Sequence, residues 1–418
     1  MKKLFLTMAS LVMLASMAFA QNDPTPMLPS QHGLTDHQPA WGSSQTFDLA
    51  AGWNWWSTYI NVSGQDGLEA LETALGSKAT LMQYKSNFLV YENGSWGGTL
   101  NAIENENMYA IQMSEAATIT LNGPRAAADE TTITLTSGWN WIGYPVAIEV
   151  PVDDAFANYT GATTGEVLKY RNQFAVYEDG IGWAGTLTTM VPGWGYKLNH
   201  IGAETSFVYN TATAKGRDMV TSTVLSTEWQ PEEATNPDNM NMIAVVNLND
   251  EELRSENVEI GVFNGETCRG AVHPMYVEAL DQYVVFLTMF GEENEPFSFR
   301  LLDNETGDIY ESNEASVRFQ ADAVIGKLRS PFELNFNTKN MVANHLHLFP
   351  NPVHHGEMVN MILPEGNVTV EVVNMLGSTV KSLRMAGSEL SADMAPGVYT
   401  VKVIDGEGHV YVDKLIVK

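Results

Sequence analysis

Most of this chain alternates apolar and polar residues with a period of two, and the alternation breaks at Gly, Pro and Asn-Gly punctuation. In "TITLTSGWNWIGY" Ile133 and Leu135 alternate with threonines, and "LKYRNQFAVY" alternates around Tyr170, Phe174 and Val176. "GYKLNH" then follows the Pro192-Gly193 turn. Such runs predict half-buried strands. A period near 3.6 shows in "GLEALETAL", where Leu68, Leu71 and Leu75 share a face, and "VDDAFANY" stands in the matching place further on. One short helix is therefore expected in an otherwise β-rich unit.

The unit occurs twice. Gly52, Trp53, Asn54 and Trp55 superpose on Gly138, Trp139, Asn140 and Trp141, and Tyr84, Phe88, Tyr91 and Gly94 on Tyr170, Phe174, Tyr177 and Gly180, at an offset of 86. One inserted residue moves the offset to 87, and Trp96, Gly98, Leu100 and Tyr109 then fall on Trp183, Gly185, Leu187 and Tyr196. The spacing exceeds a solenoid repeat, so each copy, 46–123 and 131–210, reads as a small β-rich domain. A polar, Pro-containing linker (211–238) leads to strand patterns over 240–334, spaced as in a β-sandwich. "NFNTKNMVANH" is a second polar join, and 346–418 reads as a small antiparallel sandwich ending on a strand. The fold class is thus mainly β and multidomain.

Residues 1–20, with Lys2 and Lys3 before an apolar run and Ala18-Phe19-Ala20 at its end, have the form of a cleavable export signal, with cleavage near Ala20. Residues 21–45, with four prolines, read as an extended leader. No cysteine follows the cut to carry a lipid, and no later stretch is long and apolar enough to span a bilayer. The charge of −28, from 22 basic against 50 acidic residues, opposes nucleic-acid and anionic-lipid binding. Cys268 is the single cysteine, so no intramolecular disulfide supports any domain.

The C-terminal unit carries "LFPNPV" (348–353), "VTVEVVNMLGSTV" (368–380), "MAPGVYTVKV" (394–403) and "KLIVK" (414–418). In these segments it resembles the type A C-terminal sorting domain of the Bacteroidetes type IX secretion system. The resemblance implies export across the inner membrane by the N-terminal signal and across the outer membrane by recognition of 346–418. It also implies removal of that unit, with attachment to surface lipopolysaccharide or release. "EIGVFNGETCRGAV" with "FSFRLLDNETGDIYES" resembles a module found beside such domains in large secreted proteins, and the "GWNW…PGWGY" unit resembles repeats of bacterial surface proteins. Neither brings a catalytic set.

Motifs for chemistry are weak. Gly180, Gly182 and Gly185 have dinucleotide spacing, but the threonines and Pro192 that follow do not open a helix, so a turn between strands is expected. "DNETGDIYE" (303–311) places Gly307 fifth where a calcium loop needs it sixth, and an acidic β-turn is the better reading. His345, His347, His354 and His355 lack zinc-enzyme spacing. Arg269 beside Cys268 could lower the thiol pKa, yet no base is placed for it, and a small buried hydrophobe is expected. No G-x-S-x-G is present.

The expectation is a non-enzyme without metal or cofactor. Trp53, Trp55, Trp139 and Trp141 are expected in cores. The candidate ligand-binding rings are Trp96 and Trp183, each flanked by glycines, together with Trp56 and Trp194. Exposed, they would stack on a sugar or another flat apolar surface. Three functions compete: an array binding glycan or a host or matrix protein, a purely structural surface or matrix component, and an unrecognised extracellular hydrolase.

Overall fold

The computed structural model describes residues 43–62, 65–211, 226–231, 236–312, 317–342, 346–362, 367–404, 406 and 410–418. The export signal and nearly all of the leader lie outside them.

In the first copy β1 (Ser43–Leu49) begins inside the expected leader and pairs with β7 (Ala117–Gly123). Opposite this ribbon, β2 (Gly52–Trp56), β3 (Ala79–Tyr84), β4 (Asn87–Glu92), β5 (Ser95–Gly98) and β6 (Tyr109–Met113) form a sheet in the order β2-β6-β3-β4-β5. Helix α1 (Gln65–Leu75) seals the core between them, burying Leu68, Leu71 and Leu75 against Met82, Ile111 and Met113. In the second copy β8 (Ile133–Leu135) is followed by β9 (Gly138–Ile142), β10 (Val150–Pro151) and a helix α2 of only four residues (Val152–Ala155). Then come β11 (Val167–Lys169), β12 (Phe174–Glu178), β13 (Gly182–Gly185), β14 (Thr189–Met190), β15 (Tyr196–His200) and β16 (Thr205–Phe207). Its five-stranded sheet runs β9-β15-β11-β12-β13, strand for strand the same order, and β8 pairs with β16.

The same local constraint recurs in both copies. A Cβ on Gly98 would sit 2.1 Å from the Phe88 carbonyl oxygen, and one on Gly185 would sit 2.2 Å from that of Phe174. Only glycine admits such an approach of two backbones. The dinucleotide-like spacing at Gly180, Gly182 and Gly185 is thus the β12–β13 hairpin.

The described strands between Met240 and Val342 form one eleven-stranded sheet. Met242, Ala244 and Val246 of the strand Met240–Leu248 share a core with Ile260, Val262, Phe299 and Leu301. Its last strand runs Phe332–Val342, pairing parallel with Met240–Leu248 and antiparallel with Ile309–Ser312. The polar join expected after Leu334 is therefore largely strand. The end of the expected linker is also packed: Trp229 meets Phe263 edge-on at 5.1 Å, and the N–H groups of Glu228 and Trp229 donate to the Glu259 carboxylate.

The C-terminal unit is a sandwich of a three-stranded sheet (His347–Phe349, Met358–Ile362, Glu389–Ser391) and a four-stranded one (Thr379–Met385, Val368–Asn374, Gly397–Ile404, Val410–Val417). Its core, including Leu348, Val370, Leu390, Val401 and Leu415, is drawn entirely from residues 346–417.

The outer faces of the two repeat sheets have different fates. In the second copy Val167, Phe174 and Val176 are sealed against Ile243, Val284, Phe286 and Leu328 of the third domain, with Phe174 edge-on to Phe286 at 5.8 Å. Phe88, which occupies the position of Phe174 in the first copy, is 41% exposed. Phe174→Ala is therefore expected to cost about 3–5 kcal/mol of stability. Phe88→Ala should change it by less than about 0.5 kcal/mol. Urea titration of the two variants, followed by tryptophan fluorescence at low protein concentration, checks the contrast.

Candidate functional site

The two copies meet across an internal pseudo-twofold. The Ser57 N–H donates to the Gly193 carbonyl at 3.1 Å, and the equivalent Gly143 N–H donates to the Glu106 carbonyl at 2.8 Å. Bridges Trp56–Trp194 and Asn107–Ile142 are related in the same way. Each pair exchanges the roles of the copies, as in an isologous interface. The fit is tight: a Cβ on Gly143 would lie 2.2 Å from the Asn105 carbonyl oxygen. Aromatics fill the seam. Trp55 is buried with Met108 and Ala110, and Trp53, Trp141 and Tyr170 pack around them.

The four candidate rings lie instead against the cores of their own copies. Trp56 is 1% exposed, edge-on to Phe47 at 5.4 Å, and has no ring face to offer a ligand. This corrects its candidacy: it follows Trp55 at the end of β2, and both are buried, one in the copy's core and one in the seam. Trp194 is half-buried and stacked on Tyr170 with ring centres 3.9 Å apart and planes 4° apart, so one face is taken. Trp96 is half-buried, packed on the first copy's core and edge-on to Tyr91 at 5.4 Å. Trp183 is likewise half-buried, against Phe156 at 5.4 Å and Tyr177 at 5.5 Å. The structure does not gather the four rings into one platform.

It gathers instead residues that the strand pattern did not single out. Lys169 and Lys197, on the outer face of the second sheet, are 0% and 1% exposed. Lys169 reaches Asp322 at 2.8 Å and the Asn239 side chain at 2.8 Å. Lys197 reaches Asp238 at 2.7 Å and Asp322 at 3.0 Å. Indole rings wall the ammonium groups: Lys169 lies 4.4 Å from the Trp139 ring, and Lys197 lies 5.0 Å from Trp55 and 5.1 Å from Trp141. Desolvated cation–π contacts of this kind contribute about 2 kcal/mol each. The chain just before Met240 is tied in as well, because Trp55 Nε1 donates to the Pro237 carbonyl at 3.0 Å and Arg171 donates to that of Asn236 at 2.5 Å. A signal was available in the repeat itself: the equivalents of Lys169 and Lys197 in the first copy are Gln83 and Ala110, so two charges appear on one face of one copy only.

The cluster is electrostatically asymmetric. Burial pushes the Lys169 ammonium down to about 8, against the attraction of Asp322. Asp322 is also opposed by burial, but with two ammonium groups beside it the carboxyl stays below its ordinary 3.8. These are structural charges, with both ammonium groups buried and the carboxylates at the edge of the junction.

The other titratable constellation is equally closed. Tyr159 donates to Glu166 Oε2 at 2.8 Å, His200 Nδ1 lies 2.7 Å from Glu166 Oε1, and His200 Nε2 donates to the Ala203 carbonyl at 2.6 Å. Exposures of 5%, 0% and 2% for Tyr159, Glu166 and His200 leave no route for a substrate. A surface cavity of about 460 Å³ lined by Glu252, Leu280, Asp281, Gln282, Leu328 and Arg329 contains no nucleophile paired with a base. Burial, above all, pushes the Cys268 thiol up to about 11, and Arg269 is committed to Glu295 at 2.7 Å. In the 303–311 turn the Asp303 side chain accepts the N–H groups of Glu305 and Thr306. Among the described residues no group of three His, Cys, Asp or Glu is placed to hold a metal, and no helix is long and apolar enough to cross a membrane. His345 lies outside those residues, as does the side chain of His347; His354 is exposed and His355 donates to the Met394 carbonyl at 2.7 Å.

Residues 347–418 match the family described as the secretion system C-terminal sorting domain. No curated protein matches the chain. Among solved structures it is similar to dimeric latent PorU from Porphyromonas gingivalis, at 13% identity and a TM-score of 0.18 over 61% of this chain and 30% of that one. It is also similar to PorZ, a surface component of the type IX secretion system of the same organism, at 10% identity and a TM-score of 0.16 over 79% and 73%. The two-domain fragment DIP-gamma IG1+IG2 follows at 9% identity and a TM-score of 0.13 over 44% and 97%. The sorting domain makes the chain a cargo of type IX secretion, delivered to the cell surface or beyond.

Two outcomes are expected of the buried cluster. Asp322→Ala leaves two desolvated ammonium groups without their shared carboxylate and should cost about 3–5 kcal/mol in urea unfolding at pH 7. Lys169 titrates near 8 when folded and 10.5 when unfolded, so the unfolded chain holds more protons between those values. Its contribution is fully favourable above 10.5 and is lost as the pH falls through about 8. Wild-type stability minus that of Lys169→Met should therefore rise with pH across this window.

Proposed function

We propose that the exported passenger is a non-catalytic structural component of the cell exterior, with residues 43–342 acting as a packed β scaffold. The observation that carries this reading is the use of the repeated aromatics: the rings of both "GWNW" motifs close the seam between copies or wall the buried lysines, and Trp96 and Trp183 lean onto their own cores. The sealed Tyr159–Glu166–His200 cluster supports a role without catalysis.

A binding array for glycan or for a host or matrix protein is the second reading. Its support is the partial exposure of Trp96 and Trp183, each beside a glycine. Attachment to surface lipopolysaccharide after removal of the sorting domain fits either reading.

The full chain on a glycan array at millimolar ligand is expected to give no signal that Trp96→Ala with Trp183→Ala removes. Saturable binding lost in that double variant would overturn the scaffold reading in favour of the second. For export, deleting 346–418 is expected to leave the passenger in the periplasm, measured by fractionation and immunoblot. Appearance of the truncated chain outside the cell at the normal level would defeat the assignment of recognition to this unit.

A further inference from the structure

The open outer face of the first copy has a filled counterpart in the same chain. Leu81, Phe88, Val90 and Glu92 stand where the second copy has Val167, Phe174, Val176 and Glu178. All four second-copy residues are buried beneath the third domain, Glu178 in an ion pair with Arg329 at 2.5 Å. In the first copy Phe88 and Glu92 are exposed and Leu81 and Val90 only half-buried. The repeat therefore uses this face to seat a β-sheet, and one of its two seats is free among the described residues. An exposed apolar face in this position marks an interaction site.

We propose that the face is occupied by the same face of a second copy of this chain, in an isologous dimer. The third domain's matching surface is already spent on its own second repeat, so it is not free to fill the seat of a neighbour. The charges on the free face are self-complementary. The β3–β4 hairpin carries exposed Lys85 at its turn and exposed Glu92 at its far end. A twofold axis lying in the plane of the face and crossing β4 at right angles sets Lys85 of each molecule beside Glu92 of the other and stacks the Phe88 rings near the centre. Gln83 replaces Lys169 beside Phe88, and an amide both donates and accepts, so near the axis it too can pair with its own copy. Elsewhere the excess of 50 acidic over 22 basic residues opposes self-association, which confines it to such a matched patch.

The test is sedimentation equilibrium of the mature full chain from about 1 to 100 µM, a range that brackets ordinary dimer affinities. A reversible dimer is expected. Phe88→Asp should weaken it by about 30-fold or more, as loss of a central aromatic does. Lys85→Glu should weaken it too, and adding Glu92→Lys to Lys85→Glu should restore it. Val90→Glu, read with far-UV circular dichroism, separates loss of the interface from loss of the fold. A chain monomeric across the whole range overturns the proposal, whatever else covers the face. So does a dimer indifferent to Phe88 and to the charge exchange.

Discussion

The arrangement of the passenger depends on two ammonium groups that have left water. Lys169 and Lys197 come from one repeat, Asp322 from the third domain, and Asp238 and Asn239 from the chain between them. Burying such ammonium groups costs several kcal/mol per ion, and close pairing is needed to offset it. The cluster is thus favourable in one geometry, with all the segments in place, and costly in any partial one. Apolar contacts such as Phe174 on Phe286 supply attraction without direction, while the ions fix the register in which that attraction is satisfied.

The indole rings have a matching part. A bare apolar wall would make each buried ammonium dearer, whereas the faces of Trp55, Trp139 and Trp141 carry negative potential and partly replace lost hydration. This accounts for the tryptophans at 55, 139 and 141 of the two "GWNW" motifs. In the first motif Trp55 bridges outward to the second copy and to Pro237; in the second, Trp139 and Trp141 flank the lysines directly.

Much of this was legible from residue spacing. The period-two runs became strands, Leu68, Leu71 and Leu75 became one buried helix face, and the terminal segments formed a sandwich with its own core. What spacing could not report was which outer face would be covered. Phe88 and Phe174 sit in equivalent positions, and one is exposed while the other is fully buried because Ile243, Val284, Phe286 and Leu328, remote in sequence, lie over only one of them. Trp56 and Trp194 looked available because each stands at a strand end or turn, while the ring that covers it comes from another strand of its own copy, Phe47 and Tyr109 for Trp56 and Tyr170 for Trp194. The expected linker hid its role in its final residues, where the Asn236 and Pro237 carbonyls and the Asp238 carboxylate each accept a hydrogen bond from a repeat domain, from Arg171, Trp55 and Lys197.

The pseudo-twofold between the repeats joins surfaces that two separate molecules would have to find by diffusion. Here a tether of a few residues, between Gly123 and Thr131, holds one half at a permanent high local concentration around the other. A protein released into the surroundings of a cell is diluted without limit. An association built inside a single chain survives that dilution unchanged.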